Sequence, residues 1–156
     1  NEKNLLKDGV KIAELVQKNY GDFYLLGFSL GSNIASYVAT KHASKALFLI
    51  GAFDSIASLA KSKFSDKSFL SKIDYSKILR YKFRTIEYVQ NIDTPSYLFV
   101  SKSDEITYLK NSRTLKKSVK NLLYYKEFDD LTHKELLWDD EVVQKINEVI
   151  HETNAL

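Results

Sequence analysis

The segment Gly27-Phe28-Ser29-Leu30-Gly31 constrains this chain more than any other, because of what flanks it. Phe23-Tyr24-Leu25-Leu26 before it is an apolar run that reads as a buried strand. Ser32-Asn33-Ile34-Ala35-Ser36-Tyr37-Val38-Ala39 after it reads as a helix with one face on a sheet. A strand that becomes a helix within so few residues forces its central residue into a strained backbone conformation, with the side chain at the tip of the turn. Glycine two residues to either side is expected to let strand and helix approach without Cβ clashes. Five residues with three fixed recur by chance; the strand before and the helix after give the pattern its weight.

Three more apolar runs follow: Ala46-Leu47-Phe48-Leu49-Ile50, bounded by Gly51; Ser96-Tyr97-Leu98-Phe99-Val100; and Leu122-Leu123-Tyr124-Tyr125. The second is introduced by Pro95, the only proline, where a strand start tolerates it. Runs without alternation, separated by helical stretches, predict parallel strands covered on both faces. Leu5, Leu6, Ile12, Ala13, Leu15 and Val16 recur at helical spacing and predict an amphipathic helix over 4–19, closed by Gly21. The helix after Ser29 is expected to reach His42. The last helix should begin at Asp139-Asp140-Glu141, acids suited to a helix N-terminus, and turn Val142, Val143, Ile146, Val149 and Ile150 inward.

The expected fold class is therefore α/β, with a mostly parallel sheet of about four strands and helices on both faces. A chain of 156 residues, 44% of them hydrophobic, supports one such domain over 1–156 and not two. The irregular stretch is 52–91. It is Lys/Ser-rich at 61–68, yet Phe53, Phe64, Phe69, Tyr75, Tyr81 and Phe83 punctuate it. One reading is a helical connection burying aromatics on the sheet. The other is a cap segment over a site, with aromatics facing substrate; the length exceeds a plain crossover.

Charge and composition exclude several classes. The net charge is +3, with 23 basic against 20 acidic residues that read as interspersed, so nucleic acid is not an expected partner. The absence of cysteine removes disulfide, thiolate and Cys–zinc chemistry. No apolar run approaches the length of a membrane span, and Asn1-Glu2-Lys3-Asn4 carries no signal-peptide pattern. The expectation is a soluble cytoplasmic protein without cofactor or metal.

A serine hydroxyl is a poor nucleophile unless a base takes its proton, and that base is usually a histidine oriented by a carboxylate. Three histidines are available. His42 falls at the far end of the helix that Ser29 starts, about 20 Å away at 1.5 Å per residue. His151 belongs to the closing helix, where a solvated position is expected. His133, in Asp129-Asp130-Leu131-Thr132-His133, is expected in a loop just past the fourth apolar run. Residues that follow strand C-termini in a parallel sheet converge on one edge, where Ser29 also sits, and this selects His133. The same argument selects Asp104 after the third run, with Glu105 its rival; Asp129 and Asp130 lie closer to His133 in sequence.

The order Ser29, Asp104, His133 is the serine–acid–histidine order of one superfamily, and over essentially its whole length the chain resembles the C-terminal part of an α/β-hydrolase. Ile50-Gly51-Ala52-Phe53-Asp54-Ser55-Ile56 and Ile92 to Glu105 resemble its later strands and acid-bearing loop. The resemblance implies cleavage of a small acyl ester, thioester or amide through an acyl-enzyme. Ser29 would be the nucleophile, His133 the base, Asp104 its orienter and the Leu30 N–H one oxyanion donor. The loop before the histidine departs from the pattern, reading Asp129-Asp130-Leu131-Thr132 where a glycine is usual. Only a helix precedes the serine strand, so a partial fold lacking the N-terminal strands is expected. The strand at 23–28 then becomes an apolar edge, to be paired with a second copy of the chain or covered by the helix at 4–19. Acyl transfer, or a non-catalytic interaction module on the same scaffold, are the alternatives.

Overall fold

The four apolar runs become the four strands of one sheet. The computed structural model describes residues 1–65, 67 and 69–155; Asp66 and Ser68 of the polar stretch, and Leu156, lie outside them. The elements are α1 (Glu2–Tyr20), β1 (Leu25–Phe28), α2 (Gly31–Ala39), β2 (Leu47–Ile50), α3 (Ile56–Lys63), a 3₁₀ turn (Leu70–Lys72), α4 (Tyr75–Ile78), α5 (Thr85–Val89), β3 (Ser96–Ser101), α6 (Leu109–Lys116), β4 (Leu122–Phe128), α7 (His133–Trp138) and α8 (Asp140–Asn154). The strands pair in sequence order, β1-β2-β3-β4, and every pair is parallel.

The pleat divides the core by residue type. Leu47 and Leu49 of β2 with Leu98 and Val100 of β3 meet Ala35 of α2, Val89 of α5 and Leu115 of α6 on one face. Phe48, Ile50, Tyr97 and Phe99 point the other way, onto Leu136 of α7 and Val142 and Val149 of α8. Both inner strands are buried along their whole length, which is why neither alternates.

Several boundaries differ from the sequence expectation. α2 stops at Ala39, short of His42. β1 starts at Leu25, while Phe23 sits under Ala13 of α1 and Val38 of α2. β4 runs on to Phe128 because it closes the sheet and tolerates the charged Lys126 and Glu127. In α8, Val143 is 41% exposed, since the inward stripe runs through Val142, Ile146 and Val149. His133 opens a short helix and is not in a loop; Thr132 caps it through a reciprocal pair with Glu135, the role a glycine-bearing loop does not supply.

β1 is a sheet edge. The amphipathic α1 packs on α2 and touches Phe23 and Leu25. Leu26, on the opposite face of the strand, stays half-exposed. The stretch 52–91 divides its aromatics between core and surface. Phe53, Tyr75 and Phe83 are buried, Phe64 stacks on Tyr75 at 5.9 Å, and Phe69 is 79% exposed. Glu2 fastens this stretch to α1, its carboxylate accepting the N–H groups of Lys82 and Phe83 at 2.7 and 2.8 Å.

Candidate active site

Ser29 has φ of +53°, in the left-handed region that a side chain makes costly, by about 1–3 kcal/mol. Its N–H donates to the Ile50 carbonyl at 2.9 Å, and its carbonyl accepts from the Ser32 N–H at 3.0 Å. The buried Ser32 hydroxyl donates to the Gly27 carbonyl at 2.8 Å, closing the turn from inside. A Cβ at Gly27 would lie 2.5 Å from the Ser32 Cα and 2.7 Å from the Gly31 carbonyl, both backbone atoms that cannot yield. At Gly31 a Cβ would meet nothing within 4 Å. The expectation that both glycines serve close approach is corrected: only Gly27 does.

His133 and Asp104 reach this turn from the ends of β4 and β3. Both are buried, and His133 Nδ1 lies 2.7 Å from Asp104 Oδ2. The imidazole packs on the ring of Phe28, the residue before Ser29, with centroids 4.7 Å apart. It also crowds Gly51, where a Cβ would come within 3.1 Å of His133 Cε1. The imidazole therefore contacts the residue before the serine on β1 and the residue that follows Ile50, the serine's hydrogen-bond partner on β2. Asp104 occupies Nδ1, so Nε2 is the nitrogen left for a proton exchange.

No family model matches this sequence, and no curated relative does. Solved structures match closely in backbone. An α/β-hydrolase enzyme from the metagenome of Mar Chica lagoon sediments in Morocco superposes with a TM-score of 0.68 at 18% identity, over 96% of this chain and 71% of that one. The esterase domain of a Rhodothermus marinus protein gives 0.66 at 20% identity, over 93% and 65%. The Pyrococcus furiosus esterase Pf2001 gives 0.65 at 14%, over 94% and 60%. This chain has the α/β-hydrolase fold.

Within that fold, the other acids and histidines fall into separate places. Glu105 accepts the backbone N–H of His133 at 3.2 Å and does not reach its ring. Asp129 is exposed and pairs with Lys102, and Asp130 is exposed. His42 contacts Gln17 at 3.2 Å on the surface, and His151 is exposed on α8. The Leu30 N–H, at the tip of the turn, has no acceptor among the described residues. Among those residues no group of three or more His, Asp or Glu could hold a metal, and no helix is long and apolar enough to cross a membrane.

The sequence reading missed Thr107. Its hydroxyl donates to Asp104 Oδ2 at 2.6 Å, the same oxygen that faces His133, while the N–H groups of Ile106 and Thr107 donate to Oδ1 at 2.8 and 2.7 Å. Burial pushes the Asp104 carboxyl up; the bonds from His133, Thr107 and Ile106 outweigh it and hold it below the usual carboxylate range. The signal was an Asp followed three residues later by Thr, the spacing of a local side-chain-to-backbone turn. Also missed was the buried Asp54, which takes the Asn111 amide at 3.0 Å and ties β2 to α6.

Proposed function

We propose that this chain is a serine hydrolase that cleaves a carboxylic ester or thioester of a small acyl group through an acyl-enzyme. The observation that carries the reading is the buried Asp104–His133 pair at 2.7 Å, set against the chain neighbours of a strained serine. Ser29 Oγ attacks the carbonyl carbon as His133 Nε2 takes its proton. Asp104 holds the Nδ1–H tautomer and stabilises the imidazolium. His133 returns the proton to the departing alcohol or thiol, then activates water to release the acid. The Leu30 N–H donates to the developing oxyanion, a contact worth about 100–1,000-fold in rate where such donors have been removed. The esterases that share the backbone support the ester class, and the stretch 52–91 is the candidate cap.

Labelling by a fluorophosphonate probe tests this directly. The chain should label, and Ser29→Ala should abolish the signal. A folded chain that neither labels nor hydrolyses short p-nitrophenyl esters would overturn the reading.

A further inference from the structure

The basic excess of this chain is local. Residues 61–84 hold eight lysines and arginines against two acids, a net of +6; with +3 for the whole chain, everything else carries −3. The expectation of dispersed lysines is therefore corrected. This stretch leaves the sheet after Gly51, beside His133, and returns through α5. It is held at the carboxyl edge of the strands by the Ile56 N–H to the Lys82 carbonyl at 3.2 Å, by Asn111 to Ser58 at 2.8 Å and by the Glu2 clamp. The charge thus stands on the same side of the molecule as Ser29, His133 and Asp104.

Its surface is basic and apolar at once. Phe69 and Ile78 are 79% and 65% exposed. Lys61, Lys72 and Arg80 are exposed and enter no ion pair among the described residues. A groove of about 880 Å³ beside α1 and α2 sets Lys3, Lys7, Lys41 and Arg80 against two acids, Glu2 and Glu14, and so stays net basic. A purely anionic partner leaves Phe69 and Ile78 in water, and a purely apolar one leaves Lys61, Lys72 and Arg80 unmatched. An interface with anionic headgroups over acyl chains satisfies both.

We propose that residues 61–84 dock this protein on an anionic lipid surface, with the Ser29 edge turned toward it. The proposal stands apart from the hydrolase reading, because it concerns binding and not turnover. The test is co-sedimentation of the intact chain with vesicles of neutral phosphatidylcholine, and with vesicles carrying about a third phosphatidylglycerol, a surface that attracts basic segments. Binding is expected only to the anionic vesicles, and should fall steeply as salt shortens the screening length from about 10 Å to about 3 Å. The combined Lys61→Gln, Lys63→Gln, Lys67→Gln and Lys72→Gln variant should lose about 600-fold in partitioning, at about fivefold per surface cation. Phe69→Ser with Ile78→Ser keeps every charge and should lose about tenfold. Equal binding to neutral vesicles, no binding to anionic ones, or a folded quadruple variant that binds unchanged would each overturn the proposal. So would displacement by a single-stranded oligonucleotide with the Phe69→Ser, Ile78→Ser variant unaffected, which would mark a general polyanion surface.

Discussion

Two halves of the candidate active edge are built by different means. On the β1 side, Ser29 is placed by covalent geometry: a left-handed φ, a glycine two residues back and a helix that starts at once. On the β3–β4 side, Asp104 and His133 sit 29 positions apart and are placed by hydrogen bonds from Thr107 and Ile106 to Asp104 and from the His133 N–H to Glu105. A backbone turn resists perturbation until its one steric condition fails. A side-chain network loses alignment in steps, one bond at a time.

Substitutions on the two sides sharpen that contrast. Ser29→Ala removes the proposed nucleophile and should cost about 10⁶ in kcat, the scale seen when a nucleophile of an unrelated serine enzyme is deleted. Thermal melting should be unchanged, since the left-handed strain at position 29 remains. Asp104→Asn keeps the shape and favours the wrong tautomer of His133, so ester hydrolysis should fall about 10⁴-fold; a loss below tenfold would show that another group orients the ring. Gly27→Ala should act on folding, not on chemistry. With backbone only 2.5 Å from the new methyl, urea denaturation should show a loss of about 3 kcal/mol or more, whereas Gly31→Ala, at a helical position with open space, should be neutral or stabilise by up to about 1 kcal/mol.

Thr107→Val is the fine probe of the network. Removing one donor to Asp104 Oδ2 while both N–H bonds to Oδ1 survive should lower kcat/KM about tenfold, by the worth of one hydrogen bond to a charged group. The acid limb of the activity profile should move to higher pH. The smallest effect concerns stability. A carboxyl held below its usual value near 3.9 stabilises the fold above that pH, and the contribution drains away as pH falls through the lower folded-state value. Acid titration of wild type against Asp104→Asn should reveal it as a gap in urea midpoint that closes below about pH 4.

The same contrast explains what the sequence made legible. The turn at Ser29 could be read because its requirements lie within five adjacent residues. The parallel strands could be read because β2 and β3 are buried on both faces and so run apolar without alternation, whereas their order in the sheet could not. Asp104 and His133 followed from where strands end. Thr107 stayed hidden because its role depends on which Asp104 oxygen the fold leaves beside it. The helix opening at His133 was hidden because its start rests on a Thr132–Glu135 exchange and not on periodicity. In 52–91, periodicity is too short to choose a face, so Phe83 went inside and Phe69 outside with no local signal to separate them.

Strand order that equals chain order has a consequence for synthesis. Each strand can dock on its predecessor as it leaves the ribosome, since no later segment must be inserted between two already paired. One fastening has to wait. The Tyr24 hydroxyl, just ahead of the first strand, reaches Thr153 Oγ1 at 2.6 Å and Asn154 Oδ1 at 2.9 Å, and Lys45 Nζ joins the same Asn154 oxygen at 2.9 Å. Until α8 has been made, the aromatic face of the sheet, with Phe48, Phe99 and Tyr97, stands open to water and to chaperones. Among the described residues, β1 to β4 can pair in the order they are made, while the contacts of Tyr24 and Lys45 with Thr153 and Asn154 form once the end of α8 is present.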